Sequence, residues 1–394
     1  MPEMYSGTSD NDILARVAVI AETLRFGAAQ SDLQGKLVGA SVDALRSSGL
    51  WSMRLCRELG GLELPIVLQI RVLARLAAED ASSAWCTMVA NNAVAVLGGT
   101  MPPAAIKRIF VDGVPTCSIV AGPGGSAVPV EGGFLLTGTW RLASSIHHAR
   151  WVHATALVER DPSRVLPLAI PAGDVTLVES WNVVGLAGTG SNDFKLDGYF
   201  LPTELTGREE NPYGQLRGVR RYDLVDFDHV ESYEHLAFAL GLGCRALREL
   251  RMVLTTASGA RHVADREMVQ GRFGQLVVSL QAIEALAYAF YERVDALAIG
   301  EKLGWSHDDR YRPRALAVHA TQVALECVQM AFHRSGSAGL RQPNVFEKLL
   351  RDMSVAATHA VVDDTAFASY AQQLIETGGP VELGGHVGSL WPGK

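Results

Sequence analysis

The sequence predicts an α+β multidomain protein: an N-terminal helical domain over residues 1–111, a central β domain with a charged connector over 112–231, and a C-terminal four-helix bundle over 232–394. Three observations predict it. Apolar residues recur every three or four positions from Asp10 to about Arg108, and the same period returns from Tyr233. Between these parts the period is lost, and short runs rich in Val, Leu and aromatic residues alternate with Gly and Pro. The 394 residues, 48% hydrophobic and 20% charged, suffice for two or three packed domains and do not suit a disordered chain.

In the first part, "SDNDILARVAVIAETL" opens on capping residues and continues with helical spacing. "SVDALRSSGLWSM" is a second helix, stopped near Gly49. "ELGGLELP" is a turn and loop, and "IVLQIRVLARLAAEDASSAWCTMVANNAVAV" supplies two largely buried helices. The most apolar run, "AWCTMVANNAVAVLGG", is interrupted by Asn91 and Asn92 and is short for a membrane span, so it reads as a core helix.

From Asp112 to Pro202, short strands such as "WVHATALV" and "VLPLAIP" alternate with turn residues, and "GPGG" (122–125) reads as a tight turn. A charged connector follows over 203–231. Four long amphipathic stretches then predict a bundle; the last is "VFEKLLRDMSVAATHAVVDDTAFASYAQQLI".

A formal charge of −7 argues against nucleic acid and anionic membrane as partners. The five cysteines are scattered, odd in number and form no CxxC pair, which points to a reducing compartment without a disulfide framework or a metal site. The N-terminus lacks a basic region followed by an apolar core, so the expectation is a cytoplasmic protein.

The stretch "GTWRLASSIHHARW" (138–151) combines two tryptophans with two adjacent serines and two adjacent histidines. An apolar wall and several hydrogen-bonding groups are wanted in one place. With "GLWSMRLCRELGGLELP" before it and "GLAGTGSNDFKLDGYFLP" after it, in an α–β–α chain, the segment resembles the acyl-CoA dehydrogenase superfamily. More narrowly, the three segments resemble its two-component flavin-dependent monooxygenases. The likeness spans nearly the whole chain. It implies an oxygenase component that receives reduced FAD or FMN from a separate flavin reductase. With O2 and a C4a-hydroperoxyflavin, it would hydroxylate an aromatic or polycyclic small molecule. It also implies a homotetramer. "GPGGSA" lacks the G-x-G-x-x-G spacing of an internal dinucleotide site, in keeping with a partner reductase.

The resemblance assigns residues as well. Trp140 would wall the flavin, Ser144 would approach its N5, and Ser145 and Ser126 are further candidate donors. Arg272 matches a helical arginine that meets flavin phosphate, although an isolated helical arginine is as often simply solvated. "GTGS" (188–191) would line the cavity, and His148 and Trp85 would stand on the substrate side. His147 reads as exposed.

In "RDMSVAATHAVVDD", Ala360 holds the place where many dehydrogenases carry their carboxylate base, and His359 the place of the monooxygenase histidine. His359 is thus the candidate base near neutral pH. Asp363, four residues on and on the same helical face, would orient or charge-stabilise it. Relatives acting on simple phenols carry a histidine soon after the position of Trp85, where this chain has Asn91 and Asn92. Asn92 is therefore a candidate substrate contact, with helix packing as the plainer role for the pair, and the substrate is expected to be larger than a simple phenol. Alternatives are an N-hydroxylase of an amine or amino sugar, a dehydrogenase-like flavoenzyme with a displaced base, and a non-catalytic homologue.

Overall fold

A computed structural model describes residues 9–159, 161–207, 227–256, 267–296 and 307–377. Most of the charged connector, residues 208–226, lies outside them. The first helix, α1 (Asp10–Gln34), is started by a capping box in which Ser9 and Asp12 satisfy each other's backbone N–H groups. The second, α2 (Gly39–Ser48), stops at Gly49, whose φ of 72° is the left-handed conformation glycine adopts without steric cost. Helices α3 (Ile66–Glu79) and α4 (Ala81–Thr100) meet at Asp80, which accepts from the Ser83 N–H and caps α4. Nearly every α4 side chain is buried, so the longest apolar run is a core helix as its interrupted sequence suggests. A short α5 (Pro103–Ile109) leads into the sheet.

Six strands form that sheet: β1 (Cys117–Val130), β2 (Gly133–Ala143), β3 (Trp151–Val158), β4 (Asp161–Pro171), β5 (Thr176–Val178) and β6 (Asn192–Pro202). Their order is β4-β3-β1-β2-β6-β5, with β1 parallel to β3 and the other neighbours antiparallel. "GPGG" is not a turn. It lies inside β1, because the Trp140 ring rests on that strand and a Cβ on Gly124 would come within 2.5 Å of the indole. The glycines record a close approach, not a reversal of direction.

The C-terminal part holds α6 (Phe227–Thr256), α7 (Glu267–Asp295) and α8 (His307–Arg334). The fourth stretch read as one helix is two, α9 (Val345–Ala356) and α10 (Thr365–Thr377). Between them the chain makes a single 3-10 turn over Ala360–Val362, with His359 extended at its start.

Cores do not follow the sequence parts. One cluster unites α1–α4 with the C-terminal helices, so Leu73 and Leu76 share an interior with Leu242 and Val323. The other joins the sheet to the C-terminal half of α4 and to α5. Helix α4 therefore runs from one core into the other and sets the sheet against the bundle. Among the described residues, α7 and residues Arg310–Arg334 of α8 are long and apolar enough to cross a membrane; the latter window is mostly buried, as in a core helix.

Candidate active site

The sheet and the bundle enclose a cavity of about 490 Å³. Its sheet side is made by Ile119–Gly122 and Arg141–Ser144, and its floor by the Leu186–Ser191 loop. Helix α4 brings Trp85 and Asn92, α6 brings Glu234 and His235, and the α9–α10 connection brings His359. This volume falls in the usual range for small-molecule and cofactor sites, roughly 300–1,000 Å³.

On the sheet side, strand pairing lapses where the cavity begins. The β1–β3 register breaks between Ile119 and Pro123, the β1–β2 pairing begins only at Gly125, and the β2–β6 register breaks between Trp140 and Ala143. Backbone groups released from a ladder need another partner, from solvent or from a bound ligand.

Behind that edge runs a line of hydroxyls. Thr189 Oγ1 donates to the Leu186 carbonyl at 2.8 Å and lies 2.7 Å from Ser191 Oγ, which is 2.6 Å from Ser144 Oγ. Each hydroxyl has one proton, so the direction is settled: Ser144 donates to Ser191 and Ser191 to Thr189. Ser144 also receives the Trp85 Nε1–H at 3.3 Å. What it still offers the cavity is a lone pair.

The loop is anchored from the bundle. The Leu186 N–H donates to the buried Asp352 carboxylate at 2.7 Å, and Lys348 meets that carboxylate at 2.9 Å. Burial raises the Asp352 pKa against the pull of Lys348. Burial also lowers that of Lys348, but Asp352, Asp80 and Asp32 together more than reverse the effect and hold it charged.

The bundle side is aromatic. Trp85 stands edge-on to His235, Phe238 and His359, at centroid separations of 5.3, 5.4 and 5.8 Å. The two imidazoles lie 4.3 Å apart. Burial lowers the pKa of His359, and burial together with its neighbour His359 lowers that of His235 much further, so both are neutral near pH 7. His359 Nδ1 accepts from the Val361 N–H at 3.3 Å, capping the 3-10 turn. Deeper in, Asn92 accepts from Arg54 and donates to Glu234 at 2.5 Å.

Of the residues singled out in the sequence, Ser144, Trp85, Asn92 and His359 line this cavity, as do Thr189 and Ser191 of "GTGS". Asn91 does not: its side chain braces Leu50, Thr87 and Arg54, the packing role. Trp140 is also elsewhere. It is fully buried in the sheet core, stacked on Phe194, with Nε1 donating to the Thr155 carbonyl. Its strand register turns it away from the bundle.

Ser145 adopts a left-handed φ of 64°, which turns its buried hydroxyl towards Cys86. Ser126 is exposed on β1 with a long 3.5 Å contact to the Thr137 carbonyl. Arg272 pairs on the surface with Gln275 and Glu326. His148 lies outside the cavity wall; burial, with His147, Lys36 and Arg46 nearby, lowers its pKa to about 4. His147 is half-buried, not exposed, and bonds Asn192 at 2.8 Å. Asp363 caps α10 through the Thr365 N–H and stands exposed. The helix needed to align it with His359 has already ended at Ala356.

Sequence reasoning missed Glu234 and His235. Both sit near the start of a long helix whose apolar period gives no hint that this turn opens into a cavity. Arg54 was missed too, since its contact with Asn92 spans two helical segments.

The comparisons with known proteins agree with this architecture. The family described as acyl-CoA dehydrogenase, C-terminal domain, matches residues 234–364, which hold both cavity histidines. The structure of XiaF from Streptomyces sp. in complex with FADH2 and glycerol superposes with a TM-score of 0.83 at 21% identity, over 93% of this chain and 96% of that one. The chain has the acyl-CoA dehydrogenase-like fold. Two curated proteins align along nearly the same span of this acyl-CoA dehydrogenase-like chain. The pigment production hydroxylase of a Rhodococcus species is 25% identical over 90% of this chain and 94% of its own length. The FADH2-dependent resorcinol hydroxylase, oxygenase component, of a Rhizobium species is 25% identical over 88% and 90%.

Proposed function

We propose that the protein is the oxygenase component of a two-component flavin-dependent monooxygenase, hydroxylating an aromatic or polycyclic small molecule with reduced flavin and O2. The observation that carries this reading is a cavity whose sheet side offers lapsed strand pairing and a hydroxyl lone pair, while its bundle side offers two neutral imidazoles. Relatives named as hydroxylases over nine tenths of the chain support it.

The residues present fit a reduced flavin. A reduced ring carries an N5–H, and Ser144, with its own proton committed to Ser191, is able only to accept. The unpaired edge at Val120–Gly122 supplies backbone donors and acceptors for a heterocycle, and Arg141 at the exposed rim suits a phosphate. When bound, reduced flavin supplies the electrons that activate O2. The chain's own groups exclude water with Trp85 and Met88, and the imidazoles handle the substrate's proton. A separate reductase is the source of reduced flavin. Helix α7 leaves Met268, Val278 and Leu286 exposed, a surface that supports self-association into a homotetramer, which light scattering would test. Five cysteines, all free, support a reducing, cytoplasmic location.

One observation favours a second reading. Glu234 is a carboxylate in the cavity wall, as a dehydrogenase with a displaced base requires, although Asn92 already engages it. Anaerobic addition of photoreduced FMN or FAD, followed by O2, separates the two. The oxygenase retains reduced flavin and releases hydrogen peroxide more slowly than free flavin does. A protein that instead binds oxidised flavin, bleached by an acyl thioester, is a dehydrogenase.

A further inference from the structure

The two cavity imidazoles are not equivalent. His359 Nδ1 is committed as an acceptor to the Val361 N–H, so its neutral form carries the proton on Nε2 and presents a donor. His235 has no hydrogen bond among the described residues. Sealed, partnerless ring nitrogens do occur elsewhere, at His148 Nε2 and at both nitrogens of His153, but those of His235 are not sealed in this way. The residue itself lines the cavity. Among the described residues, the uncommitted imidazole lone pair on that wall belongs to His235.

We propose that His235 is the proton acceptor of this site and His359 a neutral Nε2–H donor beside it, so that the substrate presents an ionisable O–H or N–H to His235. This rests on the oxygenase reading for its role in turnover. The substrate's O–H or N–H bond breaks, its electron pair stays on the substrate atom, and a new N–H forms on His235. No electrons are exchanged. Trp85 from α4 and His359 from the α9–α10 connection stand against this ring, and Asn92 from α4, Glu234 on α6 itself and Arg141 from β2 line the same cavity. His359 stays neutral throughout, since two imidazolium rings 4.3 Å apart repel. Burial disfavours an isolated imidazolium at His235, so the proton moves only where the substrate anion stays beside it as counter-ion and accepts the His359 Nε2–H.

The test uses the full chain with 4-nitrophenol, whose visible absorption reports the phenolate, and needs neither flavin nor O2. At pH 6 the wild type is expected to bind the probe with a larger phenolate fraction than the same probe free in buffer. H235Q and H235N return that fraction to the free value, and H359Q leaves it raised. In turnover, H235Q loses on the order of 10²-fold, the usual scale of a general base. A phenolate fraction that survives in both His235 variants and falls in H359Q overturns the assignment in favour of His359. No excess phenolate in the wild type overturns it outright while leaving the oxygenase reading to its own flavin test.

Discussion

The two sides of the cavity are built on opposite principles. The sheet side is held by directional bonds: Ser144, Ser191 and Thr189 pass their protons in one direction to the Leu186 carbonyl, and the Leu186 N–H is fastened to Asp352. The bundle side is held by ring packing, with Trp85 edge-on to two imidazoles and a phenyl ring. Hydrogen-bonded hydroxyls fix where a lone pair points, whereas packed imidazoles keep nitrogens free to change protonation. One side is suited to holding a cofactor and the other to moving a proton.

The largest stability effect is expected at the anchor beneath the cavity floor. D352A leaves Lys348 with Asp32 and Asp80 alone and strips the Leu186 N–H of its acceptor, and it is expected to cost about 3 kcal/mol in denaturant unfolding. A loss below about 1 kcal/mol would mean that the loop does not depend on this pair. S144A removes the lone pair and the Trp85 contact together. It is expected to lower coupled turnover on the order of 10²-fold, with more O2 lost as hydrogen peroxide and little change in unfolding. Retention of coupling in S144A would shift the cofactor contact from the sheet side to the bundle side.

Buried histidines make both the sheet and the cavity acid-sensitive, and His153 carries the sheet's share. His153 is fully buried with both ring nitrogens unpartnered, and burial lowers its pKa to about 4. The unfolded chain takes up this proton near pH ~6.5 and the folded chain does not. Stability is therefore present above that pH and lost as pH falls from about 6.5 towards 4, by about 1.4 kcal/mol per unit. H153L should flatten that slope, read by unfolding at several pH values. The smallest effect is expected at Gly124, where an added Cβ meets the Trp140 indole: G124A should cost about 1–3 kcal/mol without altering turnover, which would separate the sheet tryptophan from the cavity tryptophan.

Much of the fold was legible because local chemistry announces it. Ser9 with Asp12, Gly49 and Asp80 mark helix ends by caps readable in the sequence. The site was legible only in part. Trp140 and Trp85 look alike in a motif, and strand register alone buries one in the sheet and sets the other at the cavity. The break between α9 and α10 contains no Gly or Pro, and its signal is the weak capping pair Asp363 and Thr365. Reading through it produced a false alignment of Asp363 with His359. His235 carried no local signal, because its role comes from a neighbour 124 positions away in the sequence.

The most direct test of the account is isotopic. The protein, reduced flavin and 18O2 are incubated with a panel of indoles and polycyclic phenols, and the products are weighed by mass spectrometry. The account predicts a product carrying one 18O atom, formed by the wild type and strongly diminished in S144A and H235Q. Oxygen recovered wholly as hydrogen peroxide, at the rate of free flavin and unchanged by either substitution, would contradict it.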